Sequence, residues 1–341
     1  MIMTRSLGLC AGVALAVMAA AARPAAAENV ELRFATLAPS GSSWMVTLDK
    51  AAAEIKEKTA GRVTLKYFAG GSQGDERDFV RKIQAGQLDG AAVTSIGLSL
   101  IEESIRVLEL PMMFQSVEEI DYVADKMWPY FQAKFEKKGY RLNDRGEVGW
   151  IYILSKNKVE TIADLKGQKL WQWGDDALVG AMYKKLALNS VPLGVPEVDS
   201  SLTSGRVTAA YASPLAAVAL QWYTKVKFMT SMPMSFAIGA TVISKDAVKK
   251  ISAEDLKIVE EVTRSYSKKS RREIRKANEE ARTTMTRKGV TVVPTPATTV
   301  DEFAKQAAVV QQELAGKVYS KAELDMVTKY REEFRAKKGA K

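Results

Sequence analysis

Histidine is absent from this chain of 341 residues, and cysteine occurs only once, at Cys10. Without histidine, the chain cannot build a Ser-His or Cys-His catalytic pair or an imidazole metal site. A single cysteine cannot form an intramolecular disulfide. Enzymatic chemistry would have to rest on carboxylates, Lys, Tyr or Ser. We therefore expect a protein that is not an enzyme and that needs no cofactor and no metal.

The first 27 residues have the pattern of a secretory signal peptide. Arg5 supplies a positive charge, residues 7–22 are apolar, and alanines at 25–27 offer a small-residue cleavage site. The apolar run is too short and too rich in alanine to favour a permanent membrane anchor. Leu9 precedes Cys10, where lipid attachment requires Gly or Ala. We expect a cleaved, soluble and exported protein.

The chain is basic, with a formal net charge of +10 that falls to +8 once Arg5 and Arg23 are removed with the signal peptide. A basic balance raises the question of a nucleic-acid partner. The charge is spread along the chain, however, and its densest run, at 268–272, is followed by acidic residues on the same predicted helix. This pattern indicates a solvated helix face, and we expect no nucleic-acid partner.

Strands and helices alternate through the first part of the chain, which is typical of a parallel sheet in an α/β fold. The glycine-rich segment 70–74 lacks the Gly-Lys-Ser/Thr ending of a nucleotide-binding loop, so we expect a turn into a helix. Residues 108–114 are apolar and interrupted by Pro111, and we expect them to be extended. The predicted elements before them are strands 30–36, 62–68 and 88–94 and helices 44–58 and 75–85.

The functional prediction depends mainly on residues 164–214. They predict a strand, a helix, a strand, a second helix and a third strand, which is again a parallel α/β unit. Ligands of such sheets bind outside the carboxyl ends of the strands. Trp171, Trp173, Tyr211 and Ser213 lie at those ends. We therefore expect the ligand site there.

The rest of the chain predicts crossings between two α/β lobes. The helix from Ser252 to Lys288 contains no interior Gly or Pro, and at about 1.5 Å per residue it would be about 50 Å long. A helix of this length exceeds one small domain. The predicted fold is a two-lobed, hinged clamshell with a long helix spanning both lobes. Lobe 1 is predicted at 28–150 plus 237–268, and lobe 2 at 151–236 plus 269–341.

Motifs at 70–76, 86–89, 110–114, 162–170 and 205–207, together with Pro192 and Glu197, form a further pattern. They are similar to those of the extracytoplasmic solute receptors of the tripartite ATP-independent periplasmic (TRAP) transporters. The resemblance covers essentially the whole mature length, and the order and spacing of its motifs carry it. It implies a periplasmic-binding-protein clamshell in the periplasm, which delivers a small-molecule ligand to membrane permease subunits; a monomer is favoured.

This chain departs from the pattern that the resemblance implies at three positions. An arginine that grips the ligand carboxylate normally follows Lys-Leu, where this chain has Trp171. A second arginine position holds Ile151, beside Trp150, and an amide position holds Ser213. Loss of both guanidinium groups removes the fork-shaped contact that recognises a carboxylate. The resemblance thus predicts an atypical receptor for an apolar or amphipathic ligand, held by burial and stacking.

Three further candidates for the site follow if the resemblance holds. Trp44 and Thr94 would face the cleft from lobe 1, and Phe236 would approach it from the turn that begins at Met232. The complete set of predicted ligand-binding residues is Trp171, Ile151, Ser213, Tyr211, Trp173, Trp150, Thr94, Trp44 and Phe236.

Three alternatives stay open at this point. The ligand is an organic acid in a rearranged site, held by Lys or backbone amides. The cleft is plugged by its own side chains, and the chain acts as a periplasmic interaction or sensor protein without a ligand. The last is a hydrolase that uses Asp175 and Asp176, although adjacent acids at a helix start more simply complement the helix dipole.

Overall fold

The computed structural model describes residues 29–339, so the predicted signal peptide with Cys10 lies outside the described residues. The strands are β1 (Val30–Thr36), β2 (Val63–Phe68), β3 (Gly90–Thr94), β4 (Tyr140–Leu142), β5 (Gly146–Ser155), β6 (Leu170–Trp173), β7 (Ser190–Leu193), β8 (Ala209–Ala212), β9 (Phe228–Thr230), β10 (Ser235–Ser244) and β11 (Thr291–Val293). The α-helices are α1 (Ser43–Lys58), α2 (Glu76–Gln84), α3 (Ser95–Ser99), α4 (Val117–Lys137), α5 (Ile162–Lys166), α6 (Ala177–Lys185), α7 (Val195–Ser204), α8 (Pro214–Ala219), α9 (Lys245–Val248), α10 (Ala253–Arg287), α11 (Ala297–Glu313) and α12 (Lys321–Gly339). Two 3-10 helices cover Glu103–Glu109 and Trp222–Lys225.

The strands form one mixed sheet with the order β2-β1-β3-β10-β5-β8-β6-β7. Pairing is parallel among β1, β2 and β3 and among β6, β7 and β8, as predicted. The long strands β5 and β10 run antiparallel between these groups, and β5 pairs first with β10 and then with β8. We call the β1–β3 side lobe 1 and the β6–β8 side lobe 2. The two-lobed α/β fold is confirmed, while the predicted boundary residues of the lobes stay a prediction.

The long helix α10 spans both lobes, as predicted. Ser252 caps its first turn, because the side-chain hydroxyl accepts a hydrogen bond from Asp255 N at 3.1 Å. Its 35 residues correspond to about 50 Å. It packs on α1 in lobe 1 and on α8 in lobe 2. The helix therefore braces the two lobes from one side.

Asn278 fixes α10 to the strand that crosses between the lobes. Its Nδ2 donates to Val148 O at 3.0 Å, and its Oδ1 accepts from Leu215 N at 3.1 Å. Gly149 lies directly beneath it with φ +116, and a Cβ at this position would lie 2.7 Å from Nδ2 of Asn278. A side chain at residue 149 would therefore meet both a strained backbone and a steric clash.

The prediction of an extended segment at 108–114 is wrong in its first part. Leu108 and Glu109 lie in the 3-10 helix Glu103–Glu109. The side chain of Glu102 accepts from Ser104 N and starts this helix, while the buried Ile105 and Leu108 hold it against the core. The helix also carries Arg106, which lines the gap between the lobes.

Candidate functional site

A cavity of about 320 Å³ lies between the two lobes. Thr36 and Thr94, at the ends of β1 and β3, line it from lobe 1. Trp173 and Ala212, at the ends of β6 and β8, line it from lobe 2. The carboxyl ends of the parallel strands thus face each other across the gap, which is where ligands of such sheets bind.

Trp171 is the centre of an aromatic cluster on the lobe 2 side of the cavity. Its side chain is buried, with only 1% of the residue exposed. The ring stacks on Tyr211 with centroids 4.6 Å apart, and Trp222 meets it edge to face at 5.3 Å. Its Nε1 donates to Leu193 O at 3.0 Å. Trp171 is therefore held in place by packing and by a satisfied indole N–H.

Tyr211 is bound into the same wall. Its hydroxyl oxygen accepts a hydrogen bond from the backbone N–H of Trp173 at 3.1 Å. Burial raises the pKa of Tyr211 well above its usual value. The hydroxyl therefore stays neutral at physiological pH and offers an uncharged polar group at the cavity.

Arg106 brings a buried positive charge to the cavity from lobe 1. Its Nη1 donates to Ser95 Oγ and to Glu109 Oε2, the latter at 2.7 Å. Its Nη2 donates to both carboxylate oxygens of Asp176, each at 3.0 Å. Burial lowers the pKa of Arg106, but the carboxylates of Asp176 and Glu109 outweigh it and the net pKa is raised. Among the described residues that line this cavity, Arg106 is the one Lys or Arg side chain.

Asp176 belongs to the opposite lobe, where it begins α6. Its Oδ1 accepts from the backbone N–H groups of Leu178 at 2.9 Å and Val179 at 3.3 Å. It thus caps a helix N-terminus and pairs with Arg106 across the gap. The adjacent Asp175 is exposed and pairs with Arg77 at 3.1 Å. Asp175 does not line the cavity, and Asp176 is already paired with Arg106, so the two aspartates do not face a common ligand as a paired-carboxylate site would require.

A second contact between the lobes centres on Asp75, which caps α2. Its carboxylate accepts from Glu76 N within lobe 1 and from Val195 N, at the start of α7 in lobe 2, at 3.1 Å. It also accepts from Trp173 Nε1 at 2.9 Å. One carboxylate therefore serves two helix N-termini and one indole. This arrangement fixes the relative position of the lobes beside the cavity.

Glu76 is a buried carboxyl group on the lobe 1 wall. It accepts from Thr94 N at 2.7 Å, from Thr94 Oγ1 at 2.9 Å and from Gly97 N at 2.6 Å. Burial raises the pKa of Glu76 from its ordinary value of 4.5 to about 8, although the N–H groups of Thr94 and Gly97 act in the opposite direction. The carboxyl group is therefore largely protonated near neutral pH.

The raised pKa of Glu76 predicts a pH-dependent stability. The folded state favours the protonated form of Glu76. The stability that this group contributes is therefore fully present below pH 4.5 and is lost as the pH rises through about 8. We expect the free energy of unfolding to fall by up to a few kcal/mol over this range. Glu76→Gln, which cannot ionise, should show a smaller slope in urea titrations from about pH 5 to about pH 9. If the free energy of unfolding changes with pH in the same way for both proteins, the raised pKa of Glu76 is contradicted.

Most of the predicted site residues are brought together around the cavity. Trp150 and Phe236 do not line it, because they pack edge to face on each other at 5.2 Å where β5 and β10 pair. Trp44 lines it and donates its Nε1 to Glu147 O at 3.1 Å. The predicted residues that line the cavity are Trp171, Ile151, Ser213, Tyr211, Trp173, Thr94 and Trp44.

The sequence patterns did not reveal four residues of the site: Arg106, Glu109, Asp176 in its pairing role, and Glu76. One signal was available, since Arg106 stands inside the apolar run Ile105 to Leu110 with Glu109 three residues later. A charged residue within such a run is buried only when it is paired. No sequence pattern indicated that Asp176 in lobe 2 is the partner of Arg106, because the two residues are 70 positions apart.

Residues 29–339 contain neither a cluster of potential metal ligands nor a helix that could cross a membrane. No group of three or more acidic, cysteine or histidine side chains in this range is placed to hold a metal ion. Within the same range, no helix combines the length and the apolar character that crossing a bilayer requires.

Comparisons with known proteins give consistent results. The chain is 26% identical over 216 residues to the uncharacterised protein YiiZ of Salmonella typhimurium, covering 61% of this chain and 64% of that protein. It is 24% identical over 203 residues to the 2,3-diketo-L-gulonate-binding periplasmic protein YiaO of Escherichia coli, covering 59% and 61%. The matches thus span less than two thirds of the length of these curated relatives.

The fold also has close counterparts among solved structures. The sugar acid binding protein DctPAm of Advenella mimigardefordensis, solved with galactonate, has a TM-score of 0.85 at 17% identity, covering 90% of this chain and 99% of that chain. At this identity the likeness shows the fold alone. A family model described as bacterial extracellular solute-binding protein, family 7, matches residues 34–317. This chain belongs to the bacterial extracellular solute-binding proteins of family 7.

Proposed function

We propose that this chain is the periplasmic receptor of a TRAP-type transporter and that it binds a small organic acid in a rearranged site. Membership of the solute-binding family supports the role of receptor. The Escherichia coli relative is named for binding 2,3-diketo-L-gulonate, and the solved counterpart holds galactonate. Both ligands are sugar acids, and they support the organic-acid alternative better than the apolar or amphipathic ligand predicted from Trp171 and Ile151.

The observation that carries this proposal is the buried guanidinium of Arg106 at the cavity between the lobes. A cavity of about 320 Å³ is at the lower end of the size range for small-molecule sites. Under this proposal, Arg106 supplies the positive charge that the resemblance assigns to the positions of Trp171 and Ile151. The receptor is therefore atypical in where its cation stands rather than in lacking one.

The proposed role includes export and delivery. Residues 1–27 would direct the chain to the periplasm, where closure of the two lobes captures the ligand. The closed form would then present it to the membrane permease subunits of the transporter. Under this proposal the chain is not an enzyme and acts as a monomer.

The aromatic cluster favours a second candidate, an uncharged amphipathic ligand. The half-buried Trp173 and Tyr211 present ring surface to the cavity, and Asp176 and Glu109 already partner the guanidinium of Arg106. Burial of apolar ligand surface against these rings yields about 25 cal/mol per Å². The two candidates differ in whether a ligand needs a carboxylate.

A matched pair of ligands separates these candidates. Galactonate and the open-chain sugar alcohol galactitol differ mainly in the carboxylate, so thermal unfolding of the purified mature protein is measured with each of them and with 2,3-diketo-L-gulonate. We expect an acid at about one hundred times its Kd to raise the Tm by about 4 °C, and the neutral sugar alcohol to leave it unchanged. Mass spectrometry of molecules retained through a native purification identifies the resident ligand directly. A retained neutral molecule, with no shift by any acid, would support the second candidate instead.

A further inference from the structure

We propose that Arg106 is the anchor for the ligand's carboxylate and that Asp176 is an internal substitute for that carboxylate when no acid is bound. This inference rests on the proposed function, because it requires the ligand to be an acid. It makes Arg106 and Asp176 the residues that set specificity. Neither lies at the positions where the resemblance places the carboxylate grip, which are Trp171 and Ile151.

The geometry of Arg106 shows which part of the guanidinium is available for exchange. Nη1 is committed within lobe 1 to Ser95 and Glu109. Among residues 29–339, the partners of Nη2 lie only on Asp176, and both oxygens of that carboxylate share this one nitrogen at 3.0 Å. A parallel pair of N–H···O bonds, the strongest arginine–carboxylate geometry, is therefore not formed. An incoming carboxylate has to replace only the contacts of Nη2.

Separation of the pair leaves neither charge without partners. Arg106 keeps Glu109 and Ser95 on lobe 1, so its charge stays compensated. Asp176 keeps the N–H groups of Leu178 and Val179 at the start of α6. Breaking a buried ion pair is usually costly because one charge is left unpaired. Here each lobe retains a local partner for its own charge, so opening of the cleft and exchange of the carboxylate become feasible.

The position of the Arg106–Asp176 pair links the binding of the ligand's carboxylate to closure of the two lobes. Arg106 belongs to lobe 1 and Asp176 to lobe 2, so opening of the clamshell must break their contact. The cavity is lined by three charged residues, Arg106, Glu109 and Asp176. The neutral hydroxyls of Ser95 and Tyr211 also line it. A hydroxylated acid whose carboxylate binds Nη2 would thus find polar side chains near its hydroxyl groups. It would also have to compete with Asp176 as the lobes close.

The exposed pair Arg77–Asp175 provides a matched control. It also joins the two lobes, at 3.1 Å, and Asp175 is the immediate neighbour of Asp176. Its side chains are 51% and 82% exposed, so solvent screens it strongly. Asp176→Asn removes the competing charge but retains an oxygen that can cap α6. Asp175→Asn removes the same charge one residue away without touching the cavity.

The test is calorimetric titration of the mature protein with galactonate and 2,3-diketo-L-gulonate. We expect Asp176→Asn to bind an acid about tenfold more tightly than the unaltered protein, or to bind one where the unaltered protein does not. Asp175→Asn should leave the affinity unchanged. The double variant Arg106→Gln with Asp176→Asn should lose acid binding. The second substitution is included so that the Asp176 carboxylate is not left buried without its partner. Circular dichroism checks that this variant folds.

Each outcome decides the inference. Equal or weaker acid binding by Asp176→Asn overturns it, and so does an equal gain in Asp175→Asn. If the unaltered protein binds an acid and the double variant binds it equally well, the proposed function stands and this inference alone is wrong. If neither the unaltered protein nor Asp176→Asn binds either acid, while a neutral ligand is retained through purification, both proposals are wrong. If the double variant does not fold, the comparison of Asp176→Asn with Asp175→Asn decides.

Discussion

Trp171→Ala should lower the free energy of unfolding by about 3–5 kcal/mol. The side chain is almost completely buried, and its removal would leave a cavity between Tyr211 and Trp222. It would also leave Leu193 O without the indole N–H that donates to it at 3.0 Å. Urea unfolding followed by far-UV circular dichroism measures the change.

Two further variants separate packing from hydrogen bonding at this position. Trp171→Phe retains a ring against Tyr211 but removes the N–H, so we expect a loss of about 1–3 kcal/mol. Trp44→Ala removes a half-buried tryptophan from the opposite wall of the same cavity and should cost clearly less than Trp171→Ala. Equal losses for Trp44→Ala and Trp171→Ala would show that Trp171 is not the packing centre of lobe 2 that its contacts indicate.

Arg275→Met should also destabilise the protein by about 3–5 kcal/mol, because it breaks a buried ion pair on one side only. Arg275 lies on α10 and donates two hydrogen bonds to the Glu147 carboxylate of β5, from Nε at 2.7 Å and from Nη2 at 2.9 Å. Its Nη2 also donates to Asp121 at 2.8 Å. The side chain of Glu147 is fully buried, and without Arg275 its nearest cation is Arg145, whose Nη1 lies 3.6 Å away.

Lys276→Met is the matched control for this variant. Lys276 is the next residue of the same helix, is 79% exposed, and pairs with Glu280 at 3.6 Å. Such an exposed pair contributes about 0–1 kcal/mol. Thermal and urea unfolding of both variants should therefore separate clearly. A small effect of Arg275→Met would mean that water or Arg145 compensates Glu147.

The cluster around Arg275 also explains why the two lobes are joined firmly at the strand that crosses between them. Glu147 lies on the part of β5 that pairs with β10 and accepts both guanidinium bonds from α10. Asn278, one helical turn further along α10, donates to Val148 O. The crossing strand is thus tied to the long helix by consecutive residues.

Local sequence patterns predicted a large part of the fold. The capping residue Ser252 and the absence of interior Gly or Pro gave the start and length of α10. The alternation of strands and helices predicted the parallel groups of both lobes. Strand ends placed Trp171, Trp173 and Tyr211 at the cavity, while their role in ligand binding stays a prediction. These predictions succeed because caps, periodicity and breakers act between residues close together in the chain.

The same patterns left the chemistry of the site open. The run at 108–114 looked extended, whereas its beginning completes the 3-10 helix that carries Arg106. Trp150 and Phe236 were predicted to line the site, but they pair with each other beside it. In both cases the outcome depends on which distant surface the segment packs against, and the composition of the segment does not reveal this.

The sequence by itself determined the α/β class, the two lobes, the long helix and the absence of histidine and disulfide chemistry, because composition and short-range periodicity fix these properties. Only the tertiary structure decided which charges meet at the cavity. Arg106 and Asp176 are 70 residues apart and lie on different lobes, so no local rule pairs them. The physical reason is desolvation: a buried guanidinium requires a carboxylate partner, but the fold alone selects which carboxylate reaches it.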